Sequence, residues 1–280
     1  KKRMRKLGMI VTLAILVAGC EDKAPASHDV LLSQPSDTLA GGPYTHRDPA
    51  PVATQVAAED QEVEIKNDFI DFEYSYPGEA VSIPALKALM DQDLSASRAR
   101  VETAGREDKA DAEKAGFPYR KHASTTEWDV VANLPRWLSL SADVYGYTGG
   151  AHGMTNFDAL LWDRKDNVSR VPLDLFTSKA ALSSAVREPF CAALDKERAK
   201  RRGEPVNRKS GNAFDACIDP VEHTVILGSG NGMTFDRIGI MVEPYAAGPY
   251  VEGTFDITVP VTAQVMRAVK PQFQSEFSAK

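Results

Sequence analysis

The residues with the most chemical potential lie in one glycine-rich stretch, Thr148-Gly149-Gly150-Ala151-His152-Gly153, which follows Tyr147. An imidazole there serves as a general base only with an orienting carboxylate and a nucleophile or water in reach. Turn structure and ligand contact are the other roles open to it, and no catalytic residue is assigned. His122 and His223 carry no recognisable partners in the sequence. Gly228-Ser229-Gly230-Asn231-Gly232 lacks the third glycine of a dinucleotide loop, because residue 233 is Met, and it lacks the spacing of a serine-hydrolase elbow. Asn231-Gly232 reads as a hairpin turn. With no HExxH, paired CxxC or phosphate-loop motif present, no metal and no cofactor are expected.

Three cysteines raise a second kind of chemistry. Lys1, Lys2, Arg3, Arg5 and Lys6 precede an apolar run from Leu7 to Ala18, then Gly19-Cys20. A run of about twelve residues is too short to span a bilayer and matches the core of a secretory signal. Leu16-Val17-Ala18-Gly19-Cys20 resembles the bacterial lipobox, which makes residues 1–19 a removable leader and Cys20 the lipid attachment site. Two or more acyl chains give lasting anchorage where one does not. Glu21 resembles outer-membrane sorting, so the expected location is the cell envelope, lipid-anchored and periplasm-facing at the outer membrane. Cys191 and Cys217 are then each other's available partners, and a disulfide between them is expected in an oxidising compartment, with two buried thiols as the alternative.

Whole-chain composition is 43% apolar and 26% charged, which excludes a wholly disordered, collagen-like or multi-span membrane protein. Loss of the leader removes five positive charges and leaves 28 basic against 39 acidic residues, a balance of −11. So acidic a body excludes non-specific nucleic-acid binding and favours cationic partners where charge steers association.

The elements that must position these residues follow from periodicity. Residues 20–60 are rich in Pro, Ala, Ser, Thr and Gly, with few large apolar groups to bury, and are expected to be a lipidated flexible linker holding His28 and His46 in solvent. Strands are expected at Val63–Asn67, Phe69–Tyr76, Glu127–Ala132, Trp137–Tyr147, Met154–Trp162, Val168–Leu173, Thr224–Leu227, Met233–Val242 and Thr254–Val259. One helix starts at Ser82 and Pro84, buries Leu86, Leu89, Met90 and Leu94, continues as a solvated half beyond Val101 and breaks near Gly116-Phe117-Pro118. A second opens at Ser178, with a stripe of Leu182, Val186, Phe190 and Leu194, a kink at Pro189 and a solvated cationic end from Lys196 to Arg202. A short helix follows Pro260. The expected fold is α+β, with antiparallel sheets and two main helices, as subdomains 61–163 and 164–280 without a transmembrane helix in the mature chain.

Val144-Tyr145-Gly146-Tyr147-Thr148-Gly149-Gly150-Ala151-His152-Gly153, Asp174-Leu175-Phe176, Glu243-Pro244-Tyr245, Gly248-Pro249-Tyr250 and Gly253 resemble a bacterial envelope domain of unknown function. That domain forms the ectodomain of the lysozyme-sensing anti-sigma factor and precedes the catalytic domain of a peptidoglycan deacetylase. The resemblance covers about residues 62–268 and implies a two-part binding module without catalytic residues of its own. Tyrosines beside glycine turns present amphipathic rings while the turn backbone offers hydrogen bonds. Tyr147, His152, Tyr245 and Tyr250 are therefore the ligand-binding candidates, with fold packing as their alternative role. A lysozyme-like protein or peptidoglycan is the expected partner. Competing expectations are a hydrolase using His152 with an undetermined acid, and a structural envelope lipoprotein.

Overall fold

The computed structural model describes residues 58–279. The expected leader, Cys20 and all but the last residues of the linker, with His28 and His46, lie outside the described residues. Two sheets and two long helices make up what is described.

Strict alternation builds the first sheet. In β2 (Ile70–Tyr76), Ile70, Phe72, Tyr74 and Tyr76 are buried while Asp71, Glu73 and Ser75 face outward. The sheet runs in the order β1 (Gln61–Lys66), β2, β3 (His122–Asn133), β4 (Trp137–Tyr147), β5 (Met154–Asp163), β6 (Val168–Arg170). The meander from β3 to β6 is antiparallel, but β2 and β3 pair in parallel. That pair departs from the all-antiparallel expectation because parallel neighbours need a long crossover, and the helix between them supplies it. After the single-turn α1 (Gly78–Val81), α2 (Pro84–Ala115) starts with proline in its first turn and ends at Gly116, whose φ of 73° suits glycine. Its Leu86 and Met90 seal one face of the sheet with Phe72, Trp128, Leu140 and Trp162. Beyond Val101 the helix is mostly exposed, except at buried Gly105. A Cβ there would come within 2.8 Å of the Phe69 carbonyl, so the missing side chain lets helix and strand approach.

A bulge in β3 between Val130 and Ala132 shifts the register against β4. Before it, Trp128 and Val130 face α2; after it, Ala132 joins the core on the other side of the sheet. That second core is closed by the antiparallel sheet of β7 (Thr224–Gly228), β8 (Arg237–Val242) and β9 (Phe255–Pro260), with α3 (Lys179–Arg202) against β9. The Ser178 hydroxyl accepts the Ala181 amide and caps α3, and Leu182, Val186, Phe190 and Leu194 are all buried. Pro189 lies inside the helix, which ends at Gly203 with φ 75°. The short α4 (Ala263–Ala268) follows β9, its amino end capped by Thr262.

Four expectations are corrected. The strand expected over Val168–Leu173 stops at Arg170, because Pro172 cannot donate to a ladder and opens a tight turn through Leu175. The strand expected from Met233 begins at Arg237. The Asn231 side chain accepts the Met233 and Thr234 amides and holds residues 231–234 in a turn, so the β7–β8 connection is a longer loop than a two-residue hairpin. The cationic end of α3 is not simply solvated. Arg198, one turn beyond Leu194, is fully buried and donates to the carbonyls of Ala247 (2.8 Å) and Ala216 (2.9 Å). Arg202 pairs with Asp215 and Glu252, both at 2.7 Å.

Two covalent or charged links brace the frame. Cys191 of α3 is disulfide-bonded to Cys217, with Cα atoms 5.5 Å apart. Asp163, with no exposed surface, accepts two hydrogen bonds from Arg136 (2.7 and 3.0 Å) and one from Arg170 (3.3 Å); Arg136 also reaches Glu276 at 3.0 Å.

Candidate functional site: an aromatic cluster on two loops

The β4–β5 loop carries His152, and the chain after β8 carries Tyr245 and Tyr250. Folding brings the three together. The imidazole of His152 stacks on Tyr250 with ring centroids 3.9 Å apart, and both rings lie against Tyr245, at 6.1 Å from His152 and 5.5 Å from Tyr250. One acceptor organises the group: the Gly153 carbonyl takes hydrogen bonds from His152 Nδ1 (2.9 Å) and from the Tyr250 hydroxyl (3.0 Å). A proton fixed on Nδ1 leaves Nε2 of the neutral ring as an acceptor, and the Tyr245 hydroxyl lies 3.2 Å from it. The imidazole nitrogens therefore face a backbone carbonyl and a phenol rather than a carboxylate.

Local sequence sets each position. Tyr250 begins a tight turn (Tyr250–Glu252) after Pro249, and Arg202 grips that turn through both carboxylate oxygens of Glu252 (2.7 and 3.0 Å). Arg201 adds hydrogen bonds to the carbonyls of Glu252 and Thr254 and lies over the Phe255 ring, 3.9 Å from its centroid. Tyr245 has φ 72°, a left-handed conformation unusual for a bulky residue. Its side chain is nonetheless 49% exposed. A strained backbone that presents a large ring to solvent is a pattern found at ligand contacts.

Tyr147, the remaining ligand-binding candidate, lies elsewhere. Its hydroxyl donates to the Gly150 carbonyl at 3.1 Å, and it lines a separate hollow under α2 with Val101, Ala104 and His122. Tyr145, which was not among the binding candidates, lies against Gly153, whose carbonyl organises the cluster. A Cβ on Gly153 would meet its ring at 2.3 Å, so the absent side chain makes room for the phenol. The signal available in the sequence was its place in the motif of residues 144–153, two residues before Tyr147. His122 and His223, without partners in the sequence, do have them in the fold: Asp108 at 2.9 Å and Glu243 at 3.0 Å.

One acidic group, Asp143, lies near Tyr145 on its strand. Asp143 shares Tyr145's face of β4; partial withdrawal from water, then the charges of Asp129 and Asp256, push its carboxyl above the ordinary range. Among the described residues no group of three or more His, Cys, Asp or Glu side chains is placed to hold a metal ion, and no helix is long and apolar enough to cross a membrane.

One family model matches part of this chain. The family model described as deacetylase PdaC matches residues 63–155, from β1 through the His152 loop into β5. Over that stretch the chain is similar to an envelope-type domain of unknown function. No curated protein matches. Among solved structures, a DUF3298 family member from Bacteroides fragilis is 17% identical, with a TM-score of 0.48 and 79% of this chain and 97% of that one covered. A DUF3298 family protein from Pseudomonas aeruginosa is 14% identical at a TM-score of 0.43, with the same coverage.

Proposed function

We propose that this protein is a lipid-anchored binding module of the bacterial envelope, without catalytic activity, whose His152–Tyr245–Tyr250 cluster contacts peptidoglycan. The observation that carries this reading is the cluster itself: His152 and Tyr245, 93 residues apart, are hydrogen-bonded, and Tyr245 keeps a strained backbone while its ring stays in solvent. Sugar rings have apolar faces that pack on such rings, while their hydroxyls suit exposed carbonyls and phenols. The match of residues 63–155 to a family named for a deacetylase supports an envelope setting. The apolar leader and Cys20 support anchorage by acyl chains, and Glu21 supports a periplasm-facing site at the outer membrane. A hydrolytic role for His152 is disfavoured because no carboxylate orients its ring.

The deciding experiment is cosedimentation of the purified chain with isolated cell-wall sacculi. Wild type pellets with the sacculi, and Tyr245→Ala, shown folded by circular dichroism, stays in the supernatant. Equal pelleting of both proteins, or of neither, overturns the reading. A second reading, a lysozyme-like basic protein as partner, is favoured by the mutually close carboxylates of Asp129, Asp143 and Asp256. It requires the chain to bind lysozyme in moderate salt and Asp143→Asn with Asp256→Asn to weaken that binding.

A further inference from the structure

A hollow of about 380 Å³ opens on the opposite face of the first sheet, between α2 and the strands. Leu89, Met90, Asp93 and Ala96 of α2 form one side, and Trp128 of β3 and Asp158 of β5 the other. Trp128 and Asp158 stand in one row across the sheet with only Ala142 between them, so a small residue separates an indole from a carboxylate. The row is held in place by a relay. Trp128 Nε1 donates to the Tyr74 hydroxyl (3.0 Å), which donates to Asp93 Oδ2 (2.8 Å). Both orient groups toward the hollow before any ligand arrives. Among the described residues neither Asp93 nor Asp158 forms an ion pair. Partial burial, then the charge of Asp93, push the Asp158 carboxyl upward, as an uncompensated negative pair requires.

We propose that this hollow binds a primary ammonium group carried on a compact carbon skeleton, with Asp93 and Asp158 as its counter-charges. The Trp128 ring supplies the face that attracts a cation, and Leu89 and Ala96 receive the carbon skeleton. Two carboxylates beside an indole and the apolar Leu89 and Ala96, with Gln92 at the edge, suit a cation that carries apolar surface of its own. A lysine side chain and an amino sugar share this chemistry. The site is independent of the aromatic cluster, on the other side of the sheet, so it stands whether or not that cluster binds peptidoglycan.

The test is titration of the purified chain with n-pentylammonium and with glucosamine, followed through the Trp128 indole N–H resonance. Pentan-1-ol and N-acetylglucosamine serve as the matched uncharged probes. At least one amine shifts that resonance saturably, its uncharged counterpart does not, and Asp158→Asn weakens binding about tenfold, equivalent to about 1.4 kcal/mol. The better-bound amine identifies the source. Because Asp158→Asn removes a repulsion, its thermal midpoint does not fall, which separates lost binding from lost fold. Binding by neither amine, equal binding of the uncharged probes, or unchanged affinity in Asp158→Asn overturns the proposal.

Discussion

A single tyrosine sets the character of the aromatic surface, and its backbone separates stability from recognition. A non-glycine residue at positive φ costs of order 1 kcal/mol or more, while the Tyr245 ring gives back only partial burial. Tyr245→Gly is therefore expected to unfold within about 1 kcal/mol of wild type in urea, yet to lose sacculus binding. A stability loss beyond about 2 kcal/mol would mean that the ring serves the core. Gly153→Ala acts by another route: its Cβ would sit 2.3 Å from the Tyr145 ring, which must turn away. The expected readout is a shift of the Tyr145 ring resonances with the Gly153 carbonyl contacts retained. This mutual arrangement was only half legible. Glycines beside aromatic residues announced a presented surface, but no spacing rule joins His152 to partners 93 and 98 residues later, and Tyr145 seemed an ordinary strand residue.

At the scale of elements, the disulfide fastens α3 to the loop that follows it. A separation of 26 residues corresponds to about 3.5 kcal/mol of chain entropy removed from the unfolded state. Cys191→Ala with Cys217→Ala is expected to lower the thermal midpoint by about 10 °C in calorimetry, whereas a drop under about 2 °C would show the link to be slack. Most strands and both long helices were legible, because periods of 2 and about 3.6 report which face is buried. Neighbours are not encoded in that way. The parallel β2–β3 pair depends on α2 lying between the strands, which alternation within either strand does not reveal. Arg198 was hidden for a related reason. It extends the Leu182–Val186–Phe190–Leu194 stripe by one more turn, but its charge assigned it to solvent until the carbonyls of Ala216 and Ala247 gave the guanidinium a buried home.

Over the whole molecule, acid sensitivity concentrates at Asp163. Burial pushes its carboxyl up, but the hydrogen bonds from Arg136, the Asp166 amide and Arg170 prevail and hold it at about 2. Since the folded value lies below the unfolded value of about 3.9, the stabilisation of about 2.6 kcal/mol is present above pH 4 and is lost as pH falls through 2. In urea titrations, wild-type stability should decline across that interval, and Asp163→Asn should be destabilised by about 3 kcal/mol at pH 7 and flatten the decline. A mutant with the wild-type acid profile would assign the sensitivity to other carboxylates. The shared Gly153 carbonyl has a different reach. Its two donors come from the β4–β5 loop and from a turn near the end of the second sheet, so the contact surface is a product of completed assembly rather than of either half. On the proposed function, binding reports on quality control: a nascent or proteolytically clipped chain that still displays the first sheet would remain silent until its last strands had docked.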